Sequence, residues 1–261
     1  PNERKLHSGN VPLIGGIAIF LNIFLYIKYI DLDFHLLSIF YSSCIILILG
    51  ALDDAIELGV ILRLISQFIA ILLVLGTGIS IIDLGDYAIF NNINLGIFGI
   101  LLTVVSVLGL TNAINFIDGI DGLCASTVLI ALLSLIFYSL FLGTYFNFGL
   151  VYMLICSIII FLVFNINFIN KFKIFLGDSG SMLLGFLLSW ILIYYTVPEH
   201  RAIHPVLTIW CVALPVFDIL GVIFRRAVNK LNPFKPDRRH LHHILLDLNV
   251  STSKVYYYLV I

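Results

Sequence analysis

Charge is scarce in this chain. Lys, Arg, Asp and Glu make up 11% of its 261 residues, where soluble domains carry about 25%. With 61% hydrophobic residues and a mean hydropathy of +1.12, that deficit excludes a water-soluble globule and points to an integral membrane protein. Cysteine is scarce too. Cys44, Cys124, Cys156 and Cys211 stand singly in apolar segments, a spacing that fits neither a disulfide framework nor a zinc site. They read as small packing residues. No internal repeat and no low-complexity stretch is evident. A net charge of −1 argues neither for nor against nucleic acid, and no nucleic-acid partner is expected. No cleavable signal peptide is visible, because the first polar stretch leads into a full-length apolar run.

What the chain has instead is long hydrocarbon runs. Eight are long enough, at about 17–25 residues, to cross a bilayer as helices. They cover roughly 11–30, 35–52, 61–80, 94–112, 123–143, 148–168, 179–197 and 203–225, and a ninth begins near Ser253. Lipid leaves only helices or closed barrels as spanning structures. The expected fold is therefore an all-α polytopic bundle of about eight complete spans plus a truncated one, forming one domain over residues 1–261. The chain opens at Pro1 without Met and closes at Ile261 inside an apolar run, so further segments are expected at both ends.

Alternating the connecting segments between the two sides of a membrane sorts the basic residues. One side receives 1–10, 53–63, 113–122, 169–178 and 225–254, and with them 12 of the 14 Lys and Arg; Lys28 and Arg201 fall on the other. The positive-inside rule makes the basic side cytoplasmic. The polar motifs lie on that same side. They are Asn2-Glu3-Arg4-Lys5-Leu6-His7, Asp53-Asp54, NAINFIDGIDGL at 112–123, FLGDSGS at 175–181 and PDRRHLHH at 236–243.

The central stretch places Asn112, Asn115, Asp118 and Asp121 at three-residue spacing. Ionisable groups at the end of an apolar run are costly and mark function by default. On a regular helix each such step drifts by about 60°, and Gly119 and Gly122 permit the tightened or unwound backbone that would align them better. The plainer alternative is a self-capping helix end. Asp53 and Asp54, about 100° apart on a helix, are expected to have different partners. One would serve as general base or orienting group and the other as metal or positional ligand, against an ordinary acidic terminus. Asp178 opens a run where free N–H groups and small residues suit an anion, and an Asp there can carry Mg²⁺ to a phosphate; Asp178 or Ser179 as a plain N-cap is compatible with that. The Gly-Asp-Ser-Gly-Ser string lacks the flanks of a serine-hydrolase elbow. Arg238 and Arg239 suit phosphate, and His240, His242 and His243 can donate to phosphate or shuttle protons. An anionic-lipid contact explains those arginines but not three histidines in four positions. For Asp218, a structural ion pair and an edge-of-site role are evenly matched. Together these features suggest phosphoryl chemistry on a diphosphate with a lipid partner, rather than an ion transporter with midplane acids.

The strings RKLHSGNVPLIGG, LGALDD, NAINFIDGIDGL, KIFLGDSGS, HPVLTIWCVALPVFD and PDRRHLHH resemble, in order and over nearly the whole chain, the polyprenyl-phosphate N-acetylhexosamine-1-phosphate transferases of the glycosyltransferase family 4 type. The last two strings are most similar to the GlcNAc-1-phosphate branch. Glu57 stands where the phospho-MurNAc-pentapeptide translocase branch usually has Lys. The resemblance implies a Mg²⁺-dependent (or Mn²⁺-dependent) transfer of sugar-1-phosphate from a UDP-N-acetylhexosamine to undecaprenyl phosphate. UMP is released, and lipid-linked cell-envelope polysaccharide synthesis begins. It further implies that Asp53 or Asp54 orients the lipid phosphate and that Asp178, with Asp54, binds the metal. Asn112, Asn115, Asp118 and Asp121 would meet the nucleotide, and His240, His242 and His243 with Arg238, Arg239, Arg4 and Lys5 the substrates. A plasma-membrane location follows, and a homodimer stays open. The alternatives are another UDP-sugar or UDP-MurNAc-pentapeptide as donor, or a non-catalytic lipid carrier on the same scaffold.

Overall fold

The computed structural model describes residues 11–86, 93–144, 146–168, 172–231 and 240–260. Each apolar run forms helix. In chain order these are α1 (Gly15–Ile27), α2 (Phe34–Ile56), α3 (Val60–Leu75), α4 (Ile97–Ile117), α5 (Leu123–Phe141), α6 (Gly149–Asn165), α7 (Gly177–Tyr194), α8 (Thr208–Cys211), α9 (Ala213–Val228), α10 (Leu241–Asp247) and α11 (Thr252–Val260). No strand occurs among the described residues beyond a single antiparallel bridge between Asp83 and Asn94. The all-helical expectation holds.

Four helices, α2, α4, α5 and α7, are long and apolar enough to cross a membrane. The apolar helices α1, α3 and α6 have 13, 16 and 17 residues. At 1.5 Å per residue they rise about 20–25 Å, short of a hydrocarbon core of about 30 Å. The eighth run differs from its expected form. It is broken at Val212 into Pro205–Cys211 and Ala213–Val228, bent by 82°, and counts as a fifth span if the bent pair is taken as one. Pro215, in the first turn of α9, cannot supply an N–H to continue the preceding helix, which accounts for a break there.

Helix α7 is the axis of the bundle. Every residue from Ser179 to Tyr194 is buried, as expected of a helix apolar all round. Its most extensive contacts are with α2 and α4, followed by α1 and α5. Small residues allow this. A Cβ at Gly16 would strike the backbone of Gly180, one at Gly50 the backbone of Ser179, and one at Gly185 the backbone of Thr111. Backbones that close need glycine at the crossing.

The end of the bundle beyond Tyr194 is tied by an ion pair that sequence reading passed over. Arg201 Nη2 lies 2.8 and 2.6 Å from the two carboxylate oxygens of Asp83, and its Nε donates to the carbonyl of Thr196. Asp83 is only 3% exposed. His200, one of three histidines given no role from the sequence, stacks on Tyr194 beside it. Arg201→Ala strands a buried carboxylate, a change that costs about 3 kcal/mol. A fall in the midpoint of thermal unfolding in detergent is expected, partly restored by adding Asp83→Asn. An unchanged midpoint in the single variant would refute this role.

Candidate functional site

The site forms at the opposite end of α7, and the first residue to consider is one that leaves its own helix. Helix α7 starts at Gly177, whose φ of +73° lies in the left-handed region, and its N-cap, Leu176, has no side chain able to accept a hydrogen bond. Asp54, at the C-terminal end of α2, fills that role from 124 residues away. Its Oδ1 accepts the N–H of Asp178 at 2.9 Å and its Oδ2 that of Ser179 at 3.2 Å. A Cβ on Gly177 would come within 2.7 Å of Asp54 Oδ2. The anion expected at the start of this helix is thus, in this structure, a carboxylate of the chain itself.

Asp53 points elsewhere, as adjacent helical residues must. Its Oδ1 accepts the N–H of Leu58 at 2.7 Å, and its Oδ2 pairs with Arg63 Nη1 at 2.9 Å. This carboxylate, 4% exposed, closes the turn between α2 and α3.

The three-residue series serves several partners. Asn112 Nδ2 donates to Gln67 Oε1 on α3 and to the Leu108 carbonyl. Asn115 Nδ2 donates to Asp178 Oδ1 and to Ser181 Oγ, both at 2.8 Å. Helix α4 ends at Ile117, and Asp118 begins the unwound turn that the two glycines permit; Gly122 has φ +79°. Asp121 pairs with Lys173 Nζ at 2.5 Å. Asp118 is exposed to solvent, with protein crowded around it. Desolvation first, then the charges of Asp178, Asp121 and Asp54, push its pKa up to about 7.

The histidines dock onto this turn. His240 lies against Phe116, with ring centroids 5.2 Å apart. Its Nδ1 is 2.9 Å from Asp218 Oδ2, while Asp218 Oδ1 accepts the N–H of Leu241 at 2.8 Å. His242 is buried with its ring over Gly119, and among the described residues its Nε2 has no hydrogen-bond partner. Burial, then the neighbouring His243 and His240, lower its pKa to about 4 against the opposing charge of Asp218. His242 is therefore neutral near pH 7, and its contacts are those of packing. His243 is half-buried beside it. Arg4, Lys5, Arg238 and Arg239 lie outside the described residues.

Two residues that sequence reasoning left out hold the site's loops together. Asn165, buried at the end of α6, accepts the N–H of Gly122 at 2.6 Å and donates to the carbonyl of Ile174 at 2.9 Å. It thereby joins the Asp118–Asp121 turn to the approach to Asp178. Lys173, in that approach, is the cation of Asp121. An Asn at a helix end has no sequence signal for such a role. Beside the site, the bend before α9 opens a groove of about 430 Å³ lined by Leu214, Phe217, Val222, Leu241 and Ile244 and edged by Asp218 and Arg225.

The electrostatic balance of the cluster is one-sided. Asp53, Asp54, Asp118, Asp121 and Asp178 interact with one another, and the cations paired with them among the described residues are Arg63 and Lys173. Hard oxygen donors with surplus negative charge suit Mg²⁺ or Mn²⁺. Among the described residues no three His, Cys, Asp or Glu converge as a ready-made ligand set. That also fits Mg²⁺, which typically takes one or two carboxylates and completes its shell with water and substrate phosphate.

Comparison with known proteins bears on the same residues. The profile of glycosyl transferase family 4 matches residues 36–196, which include Asp53, Asp54, the Asn/Asp turn and Asp178. Over 98% of this chain it is 34% identical to the undecaprenyl-phosphate alpha-N-acetylglucosaminyl 1-phosphate transferase of Haemophilus influenzae, covering 73% of that protein. The proteins of the same name from Salmonella typhi and Escherichia coli K12 are 32% and 29% identical, again over 98% of this chain and 71% of theirs. These matches extend past the family profile to include the histidine segment.

Proposed function

The chain belongs to glycosyl transferase family 4, and we propose that it transfers GlcNAc-1-phosphate from UDP-GlcNAc to undecaprenyl phosphate, releasing UMP. One observation carries the reading furthest. Asp54 from the end of α2, and Asn115 and Asp118 from the end of α4, gather about Asp178 at the first turn of α7. The nucleophile in this reaction is a phosphate already anionic at neutral pH, so proton removal is a minor part of the barrier. Bringing two anionic phosphates together is the larger part.

Asp178, with Asp54 beside it, would hold Mg²⁺, whose positive charge would offset that repulsion. The chain's own residues do the positioning. Asp54 holds the first turn of α7 at two N–H groups. Asn115 holds one oxygen of Asp178. Asn165 and Lys173 fix the turn that carries Asp118 and Asp121. His240 and His243, with Arg238 and Arg239, would meet the donor diphosphate. The groove along α9 is apolar and suits the first units of a prenyl chain. The distribution of Lys and Arg supports placing this site on the cytoplasmic face of a plasma membrane.

The test is an assay of the purified protein with undecaprenyl phosphate, Mg²⁺ and a panel of UDP-sugars, following release of uridine nucleotide. UMP from UDP-GlcNAc, lost with EDTA and restored by Mg²⁺, is the expected result. UMP from a different UDP-sugar alone would move the donor. No turnover with any donor, from protein shown to be folded, would reject the enzyme reading in favour of a lipid carrier.

A further inference from the structure

We propose that Asp218 is a positioning residue for His240, fixing both the placement of the imidazole and the nitrogen it offers to substrate. The inference rests on the transferase reading for its kinetic consequence, but its structural half stands on the geometry alone. Asp218 lies on α9, on a mostly apolar groove wall shared with Leu214, Phe217, Arg225 and Leu241, and its side chain is 8% exposed. A carboxylate in that setting is costly unless charged or hydrogen-bonded partners compensate it. Among the described residues both hydrogen-bonding partners come from the histidine segment: His240 Nδ1 to one oxygen and the Leu241 N–H to the other. The acid is thus satisfied only when that segment is docked, and the docked segment has its first helical turn capped by the acid.

The tautomer follows from the pairing. An ionised carboxylate only accepts, so the proton of a neutral His240 must sit on Nδ1. Nε2 is then the one ring nitrogen left for another partner, and Phe116 against the ring limits how far it can turn. Asp218 touches neither substrate nor reacting atoms in this scheme; it acts through His240.

Asp218→Asn separates these roles. The amide oxygen can still accept the Leu241 N–H, so the cap remains, while its NH₂ donates to Nδ1 and forces the proton to Nε2. The expected result is a fall in kcat of about 10- to 100-fold, the scale typical of lost orienting partners. The KM for UDP-GlcNAc and the thermal midpoint should change little. Combined with His240→Gln, the second change should add almost nothing. Full additivity of the two changes in kcat, or an unchanged kcat in Asp218→Asn, would overturn the proposal. A readout independent of turnover uses protein labelled with ¹⁵N-histidine, with the His240 signals assigned by their loss in His240→Gln. Above the histidine titration range, a protonated Nδ1 in the unsubstituted protein supports the proposal, and a bare Nδ1 rejects it without any need for Asp218→Asn to fold. If the unsubstituted protein shows no turnover at all, the transferase reading fails while the spectrum still decides the pairing.

Discussion

Asp178→Asn is expected to lower kcat about 1,000-fold while leaving the protein folded and at least as stable. The two halves of that result have one cause. In the structure Asn115 donates to Oδ1 of Asp178, an oxygen that an asparagine retains, and the backbone N–H of residue 178 still reaches Asp54. What disappears is one negative charge that acts on Asp53, Asp54 and Asp118. Removing a like charge relieves repulsion, so the thermal midpoint should hold or rise. In the proposed reaction, catalysis loses a charged oxygen where the cation and two phosphates would be brought together, an electrostatic loss worth about 4 kcal/mol at the barrier. Initial rates across a Mg²⁺ series, run beside thermal unfolding, measure both. A fall in stability matching the fall in rate would mean that Asp178 is structural.

The second large effect belongs to Gly50. A methyl group there would overlap the Cα and N of Ser179 and the carbonyl of Asp178, all backbone atoms that cannot rotate aside. Gly50→Ala must therefore push the start of α7 away from α2, and that start is held by Asp54 from α2 itself. Overpacking of this kind costs about 3 kcal/mol. Activity should fall further than stability alone accounts for, by about 100-fold in protein that remains folded, because Asp178 moves with the helix. Gly109→Ala is the control. Nothing lies within 4 Å of a Cβ there, and alanine is the better helix former by about 1 kcal/mol. If both variants unfold at the same temperature with equal activity, the close approach at Gly50 is not a constraint.

The sequence made the helical class and the acids of the site legible, because both are local signals. Each apolar run became helix, and Asp54, Asn115, Asp118 and Asp178 were all singled out before any contact was known. Their partners were not legible. Asp54 capping α7 across 124 residues, Asp218 meeting His240, Asn165 joining two loops and Arg201 meeting Asp83 are pairings that only the folded chain creates. The three-residue spacing does not make one row. Asn112 turns to Gln67 and Asn115 to Asp178, as the 60° drift of a regular helix predicts. The break before α9 had a local sign in Pro215, but a hydropathy count runs across a bend without noticing it. His242 shows the same limit. A histidine in a basic polar loop looks like a phosphate ligand, and only packing against Gly119 reveals it as a neutral, buried group.

The central claim is that the phosphate nearest the sugar travels with the sugar. UDP-GlcNAc labelled with ³²P at its β-phosphate, incubated with the protein, Mg²⁺ and undecaprenyl phosphate and then extracted with organic solvent, tests it most directly. The account predicts label in the lipid fraction and unlabelled UMP in the aqueous one. Label retained in aqueous UDP, with the sugar alone found on the lipid, would contradict it.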